Sequence, residues 1–147
     1  MDFLFTTKLV KIAFTSAIVF VLLDFLWLAV IASAWYRQTL GYLAELDQQG
    51  KIIFNIPFGL IAQVAISLAL SAVIMLALHV DNRLVVAMGW GAFVGLVIYT
   101  TYDFTNLSFV KGWPLWISLM DVAWGTFQGL LAGVYVFYLN RFFQLIF

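Results

Sequence analysis

The sequence predicts an all-α integral membrane protein, a single bundle of four transmembrane helices across residues 1–147. Three observations carry that prediction. Hydrophobic residues make up 65% of the chain and charged ones 10%, with a mean hydropathy of +1.08. A soluble domain is about half apolar and about a quarter charged. A fold of this size hides only about two-thirds of the surface its chain exposes, so the apolar excess calls for lipid. The apolar residues gather in four segments, each near or above the roughly 20 residues that cross a bilayer as a helix. The alternating pattern of a transmembrane β-barrel is missing.

The first segment runs from about Ile12 to Ala34. Lys8 and Lys11 precede it and Ala32-Ser33-Ala34 follows, which is the outline of a signal peptide. The apolar stretch is longer than a typical h-region of roughly 7–15 residues and contains Asp24, so it reads as a retained anchor. The second segment runs from about Phe54 to Leu78, the third from about Leu84 to Phe104 and the fourth from about Leu115 to Leu139. Pro57 and Pro114 stand at helix starts, where proline is tolerated. Arg37–Lys51 is the one sizeable polar stretch and reads as a loop with one amphipathic turn at the membrane surface.

Orientation follows from the basic residues. Lys8, Lys11, Arg83 and Arg141 fall on one side; Arg37, Lys51 and Lys111 fall on the other. The bias places both termini in the cytoplasm. Trp35, Tyr36, Tyr42, Trp113 and Trp116 then mark the outer interface, and Tyr138 the inner one.

Composition also excludes partners and cofactors. Seven Lys/Arg balance seven Asp/Glu, so no basic field exists to hold nucleic acid. Cysteine is absent and histidine occurs once, at His79, which removes thiolate and multi-histidine metal sites. No P-loop, His-Glu-x-x-His, Gly-x-Ser-x-Gly or dinucleotide fingerprint is present. Neither a cofactor nor a metal is implied; the acids sit on separate helices without a diagnostic spacing for a hard cation.

Lipid offers no hydrophobic drive between membrane helices, so they associate through small and polar residues. Such residues recur here at i, i+4 spacing. The stripes are Asn55, Gly59, Gln63, Ser67 and Ser71 on the second span, and Gly91, Gly95, Tyr99 and Asp103 on the third. On the fourth they are Asp121, Gly125, Gly129 and Gly133, with Gln128 beside them. The first span carries a weaker stripe of Ser16, Phe20, Asp24, Trp27 and Ile31. For the glycines the stripes read as packing faces.

A carboxylate in hydrocarbon costs roughly 2.5–3.5 kcal/mol on insertion scales, and ionisable residues at that depth usually serve a site or a proton step. Asp24 lies near the centre of the first span. Asp121 lies roughly 9 Å from the centre of the fourth, on its outer side. Asp103 falls at the outer end of the third, where solvation is cheap. Asn55, Asn106 and Lys111 belong to the same end, whereas the inner half offers only Ser16, Ser67, Ser71 and Gln128. These residues describe a pocket open to the outside. A structural role stands beside this reading: the acids can accept from the indoles of Trp27 or Trp124, or from tyrosines. Asp24/Trp27 and Asp121/Trp124 repeat one Asp-x-x-Trp spacing on helices of opposite direction, which would set two acid–indole units against each other. Asp24-Phe25-Leu26-Trp27-Leu28 and Asp103-Phe104-Thr105-Asn106-Leu107 form a weaker internal echo.

Several runs occur together in order: Asp24–Leu28, Tyr36–Gly41, Tyr99-Thr100-Thr101-Tyr102-Asp103-Phe104-Thr105-Asn106-Leu107, Lys111-Gly112-Trp113-Pro114 and Asp121–Gly125. In these runs, over nearly its whole length, the chain resembles the bacterial membrane family catalogued as domain of unknown function 2177, with Phe104 where leucine is expected. The resemblance implies a small four-helix inner-membrane protein and no reaction.

The reading is therefore an outward-facing pocket that binds or transports a small or lipid-derived ligand. Asp24 and Asp121 are its deep acids, Asp103 and Asn106 its mouth, and Trp27, Trp124, Tyr99 and Tyr102 its walls, with Asn55 and Lys111 at the rim. Two alternatives stay open: an accessory subunit packing its helices in a homodimer or larger membrane complex, and a membrane enzyme acting on lipid.

Overall fold

The computed structural model describes residues 7–146. Its elements are α1 (Thr7–Leu26), a π-helical turn (Trp27–Ile31), α2 (Ser33–Leu40), α3 (Ile56–Val80), α4 (Leu84–Phe109) and α5 (Leu115–Ile146). Four stretches are long and apolar enough to cross a membrane: Thr7–Ile31, Ile56–Val80, Leu84–Phe109 and Leu115–Gln144. At about 1.5 Å per residue, each exceeds the ~30 Å hydrocarbon thickness.

The helices overrun the apolar segments. α1 begins at Thr7 rather than Ile12. The half-buried Lys8 is carried inside it; a lysine stem lies along apolar surface while the ammonium reaches water. α4 continues past Phe104 to Phe109, so the polar Asp103–Asn106 run is helical. α5 runs on past Leu139. The polar stretch after the first span is more ordered than a loop. α2 makes two turns, and an antiparallel bridge joins Leu46 to Ile52. Asp47 accepts from the Gln49 and Lys51 amides at 2.9 and 2.7 Å, and Gly50 adopts φ 73°, the left-handed conformation that glycine takes without steric cost.

The end bearing the Asp81–Arg83 turn between α3 and α4 is the hairpin end; the end bearing α2 and the α4–α5 turn is the loop end. The apolar core lies toward the hairpin end. Leu9, Ile12 and Phe20 of α1 meet Leu70, Ile74, Met75 and Leu78 of α3, with Ala87 of α4 and Ala132, Val136 and Phe137 of α5. Large apolar side chains such as Phe14, Phe58, Val85 and Phe142 point outward. Polar groups are inside instead: Ser16, Ser67, Ser71, Ser118 and Gln128 are fully buried. This inversion suits a lipid surround.

α4 and α5 form the most extensive helix pair. A methyl group on Gly91 would collide with the Gly129 carbonyl, and one on Gly95 with that of Gly125. Gly129 is equally closed by the Gly91 carbonyl, and Gly133 by that of Ala87. The backbones touch where side chains would stand, as close helix approach in membranes requires. Gly125 takes the Tyr99 ring in the same way. This register, carried one turn further, sets Tyr99 level with Asp121, and a second turn sets Asp103 level with Ile117.

The α3 stripe behaves differently along its length. Ser67 and Ser71 are buried, but Asn55 and Gly59 are exposed, and nothing lies within 4 Å of where a Gly59 Cβ would be. Every residue from Ile53 to Ala62 is exposed. The loop-end turns of α3 stand off the bundle, so the expected packing face stops near Gln63.

Candidate functional site

The gap left by α3 is the mouth of a cavity of about 560 Å³. α1 and its π-helical turn contribute Asp24, Trp27 and Leu28, and α3 contributes Ala62, Gln63 and Ile66. From α4 come Ile98, Tyr99, Tyr102 and Asp103; from α5 come Asp121 and Trp124. Tyr36 and Leu40 of α2, with Leu43, Ala44, Ile52, Phe54 and Trp113 of the connecting segments, close the loop end.

The π-helical turn explains how α2 reaches the site. The Ala32 amide bonds back to the Trp27 carbonyl at 2.7 Å, five residues away, which widens the turn. Such turns are rare within helices and frequent at functional sites. Beyond Ala32 the chain sets out again as α2 and brings Tyr36 to α5, where its hydroxyl donates to Asp121 Oδ1. That hydroxyl accepts from Trp27 Nε1 at 3.3 Å. Burial, followed by the Asp121 carboxylate, holds the Tyr36 phenol above its ordinary value, so it remains a donor.

Asp24 is served from two other helices. Trp124 Nε1 donates to its Oδ1 at 3.1 Å, and Gln63 Nε2 to its Oδ2. The Trp27 and Trp124 indoles stack with centroids 4.3 Å apart and planes 5° from parallel. The two Asp-x-x-Trp units thus interlock crosswise. The indole of the fourth span binds the acid of the first, and the indole of the first reaches the acid of the fourth through Tyr36. Tyr99 donates to Gln128 Oε1 at 3.1 Å, and Gln128 Nε2 to the Phe20 carbonyl at 3.3 Å, which seals the deep side of the chamber.

Asp103 has no such service. It is fully buried, and neither carboxylate oxygen has a hydrogen-bond partner. The expectation of cheap solvation at the span end is overturned, because α4 continues for six residues beyond Asp103, to Phe109, and keeps it within the bundle. On the adjoining wall, Trp113 Nε1 donates to the buried Ser118 hydroxyl at 3.0 Å, and the Trp113 ring meets Tyr102 edge-on at 6.2 Å.

Seven of the ten residues singled out from sequence line the cavity: Asp24, Trp27, Tyr99, Tyr102, Asp103, Asp121 and Trp124. Asn106, half-buried one turn beyond Asp103, does not line it, although its buried Nδ2 has no partner. Asn55 and Lys111 are exposed and lie outside it. Asn55 precedes the free-standing turns of α3, and Lys111 sits in the tight α4–α5 turn. Sequence reasoning placed Tyr36 in the interfacial aromatic belt and Gln63 in a packing stripe. The available signal for Gln63 was its amide at the depth of Asp24 on an antiparallel span; nothing in the pattern announced the π-helical turn that delivers Tyr36.

A family model described as "Predicted membrane protein (DUF2177)" matches residues 9–138. The chain belongs to that family. Searches of curated proteins and of solved structures give no match. Membership establishes a membrane protein and assigns it no activity. Within this family member, the Tyr99–Leu107 and Asp121–Gly125 runs are the segments that place Tyr99, Tyr102, Asp103, Asp121 and Trp124 on the chamber wall.

Proposed function

We propose that this family member is a bacterial inner-membrane protein that binds a small or lipid-derived ligand in the carboxylate and aromatic chamber. One observation carries the reading: a cavity of about 560 Å³, within the usual range for ligand sites, is bounded at its mouth by α3 turns that no other helix covers. A closed packing core would have filled that space. The walls are mainly apolar with a few convergent polar groups, the composition that orients a ligand without a large desolvation cost. The gap opens sideways, so an amphipathic ligand can enter from the bilayer. Both termini are cytoplasmic in this reading, and the chamber faces the outer leaflet.

The test is native mass spectrometry of protein extracted from its own membranes in a mild detergent. Wild type should carry an adduct of lipid or metabolite mass. Ala62→Trp, which places an indole at the cavity mouth, should lose it while unfolding at the same temperature. An adduct unchanged by Ala62→Trp overturns the reading.

The same uncovered turns favour a second reading, an accessory subunit whose partner helix lies along α3. A photoreactive phenylalanine analogue at Phe58, which is exposed, separates the two. Crosslinks in whole membranes to lipid-sized species support the pocket, and a single protein-sized product supports the subunit. Reporter fusions at Gln48 and after Arg141 test the orientation; a periplasmic C-terminus would turn the chamber inward.

A further inference from the structure

We infer that the chamber selects a positively charged ligand, an apolar molecule bearing an amine, quaternary ammonium or similar cation. The inference rests on the pocket reading above and adds its charge. Three carboxyl groups, those of Asp24, Asp103 and Asp121, line the cavity, and among the described residues no lysine, arginine or histidine does. Arg37 of α2, and Lys51 and Lys111 of the connecting segments, are exposed and outside it. A buried carboxylate is strongly disfavoured unless paired or hydrogen-bonded. Asp24 and Asp121 have donors. Asp103 has no accessible surface and no partner on either oxygen, and it stands in the cavity wall. A ligand group that supplies positive charge or donors would complete it, beside the neighbouring Ser118 hydroxyl and Trp113 indole.

The remaining walls suit an organic cation better than an inorganic one. Among the described residues no three acid, histidine or cysteine side chains gather as a metal-holding cluster. The charge is spread around the chamber, and the surfaces between are the rings of Tyr99, Tyr102, Trp27 and Trp124. Aromatic faces attract cations, most strongly when water is excluded, and they do so without needing small, hard coordination geometry.

The test uses two ions of nearly equal shape and opposite charge, tetraphenylphosphonium and tetraphenylborate. Each is titrated calorimetrically into the full-length protein in maltoside micelles, with protein-free micelles as the blank. Saturable binding of the phosphonium at one site per chain is expected, with none for the borate. Asp103→Asn should weaken the phosphonium at least tenfold while the protein elutes and unfolds as wild type. Should that variant misfold, Tyr102→Leu, at an exposed wall position, should weaken binding severalfold. Saturable binding of both ions, or binding indifferent to Asp103→Asn and Tyr102→Leu, overturns charge selection and leaves the pocket reading standing. Binding of neither ion also overturns the inference. If the native adduct then also survives Ala62→Trp, the pocket reading falls with it.

Discussion

The α4–α5 seam and the loop-end turns of α3 both carry glycine on a four-residue stripe, and they have opposite fates. Gly91, Gly95, Gly129 and Gly133 meet backbone where a side chain would stand; Gly59 meets open space. The difference lies in the facing helix. α4 and α5 each present small residues at the same heights, so their backbones approach. Opposite the loop end of α3 stand Trp27, Trp124, Tyr99 and Tyr102, whose bulk holds the helices apart and encloses the chamber. A stripe of small residues therefore defines a face that permits contact, and only a matching face completes it. The seam fixes two spans rigidly, and the bulky aromatic cluster beside it keeps the third at a distance.

The largest test of this contrast is Gly129→Leu. A leucine there collides with the Gly91 backbone, and overpacking of this kind costs typically 1–3 kcal/mol and occasionally more. With backbone rather than a flexible side chain in the way, a loss at or above about 3 kcal/mol is expected, read as a large fall in melting temperature in detergent. An unchanged melting temperature would mean that the α4–α5 backbones are not in contact.

Next in size is Tyr36→Phe, which acts on the chamber and not on the seam. It removes the donor to Asp121 and the acceptor of the Trp27 indole in one step. Leaving buried polar groups unpaired costs about 1–3 kcal/mol. Because Tyr36 is the link between α2 and α5, the effect should be local: amides of Ser33–Leu40 exchange faster, and those of α4 and α5 keep their protection. Uniform acceleration across all spans would show that α2 docking is coupled to the whole bundle.

Asp24→Asn should do less. Asparagine keeps an acceptor for the Trp124 indole, and the Gln63 amide, whose Oε1 is buried and unpartnered, can rotate to accept from the new amide group. A change within about 1 kcal/mol in thermal unfolding is expected, because a neutral amide is cheaper to bury than a charge. If function depends on the charge, the folded variant should fail to rescue deletion of the gene. Full rescue would make Asp24 a tie between helices and nothing more.

How legible each part was in the sequence follows from the same physics. The four spans were legible because hydropathy over some 20 residues has one solution in a bilayer. Asp24, Asp121 and their tryptophans were legible because charge at depth demands a partner. Asp103 was misplaced because the polar run Asp103–Asn106 imitates a helix end, while its backbone hydrogen bonds are equally met by continuing the helix to Phe109. Lys111 and Asn55 shared a membrane depth with the acids, and depth alone does not bring residues from different helices together. Tyr36 was hidden by a single backbone event, the five-residue hydrogen bond at Trp27–Ala32, which leaves no trace in apolar periodicity.

The smallest effect belongs to Gly59→Ala, and it bears most directly on the open side of the chamber. Glycine inside a helix is destabilising by roughly 0.5–1 kcal/mol relative to alanine, since it loses more backbone freedom. At Gly129 that gain is swamped by collision. At Gly59 the added methyl group has nothing to meet, so the alanine variant should be as stable as wild type or more stable by up to about 1 kcal/mol. Gly59→Leu should be tolerated too, its side chain lying in lipid among Phe58, Leu60 and Ile61, all exposed. Chemical unfolding in mixed micelles has the resolution to read both against Gly129→Ala. If Gly59→Ala lowers stability as Gly129→Ala does, the loop-end turns of α3 are covered in the membrane, by a second copy or another chain. The chamber would then lose its lateral mouth, and the contrast between the two glycine stripes would be one of partner, within the chain or outside it.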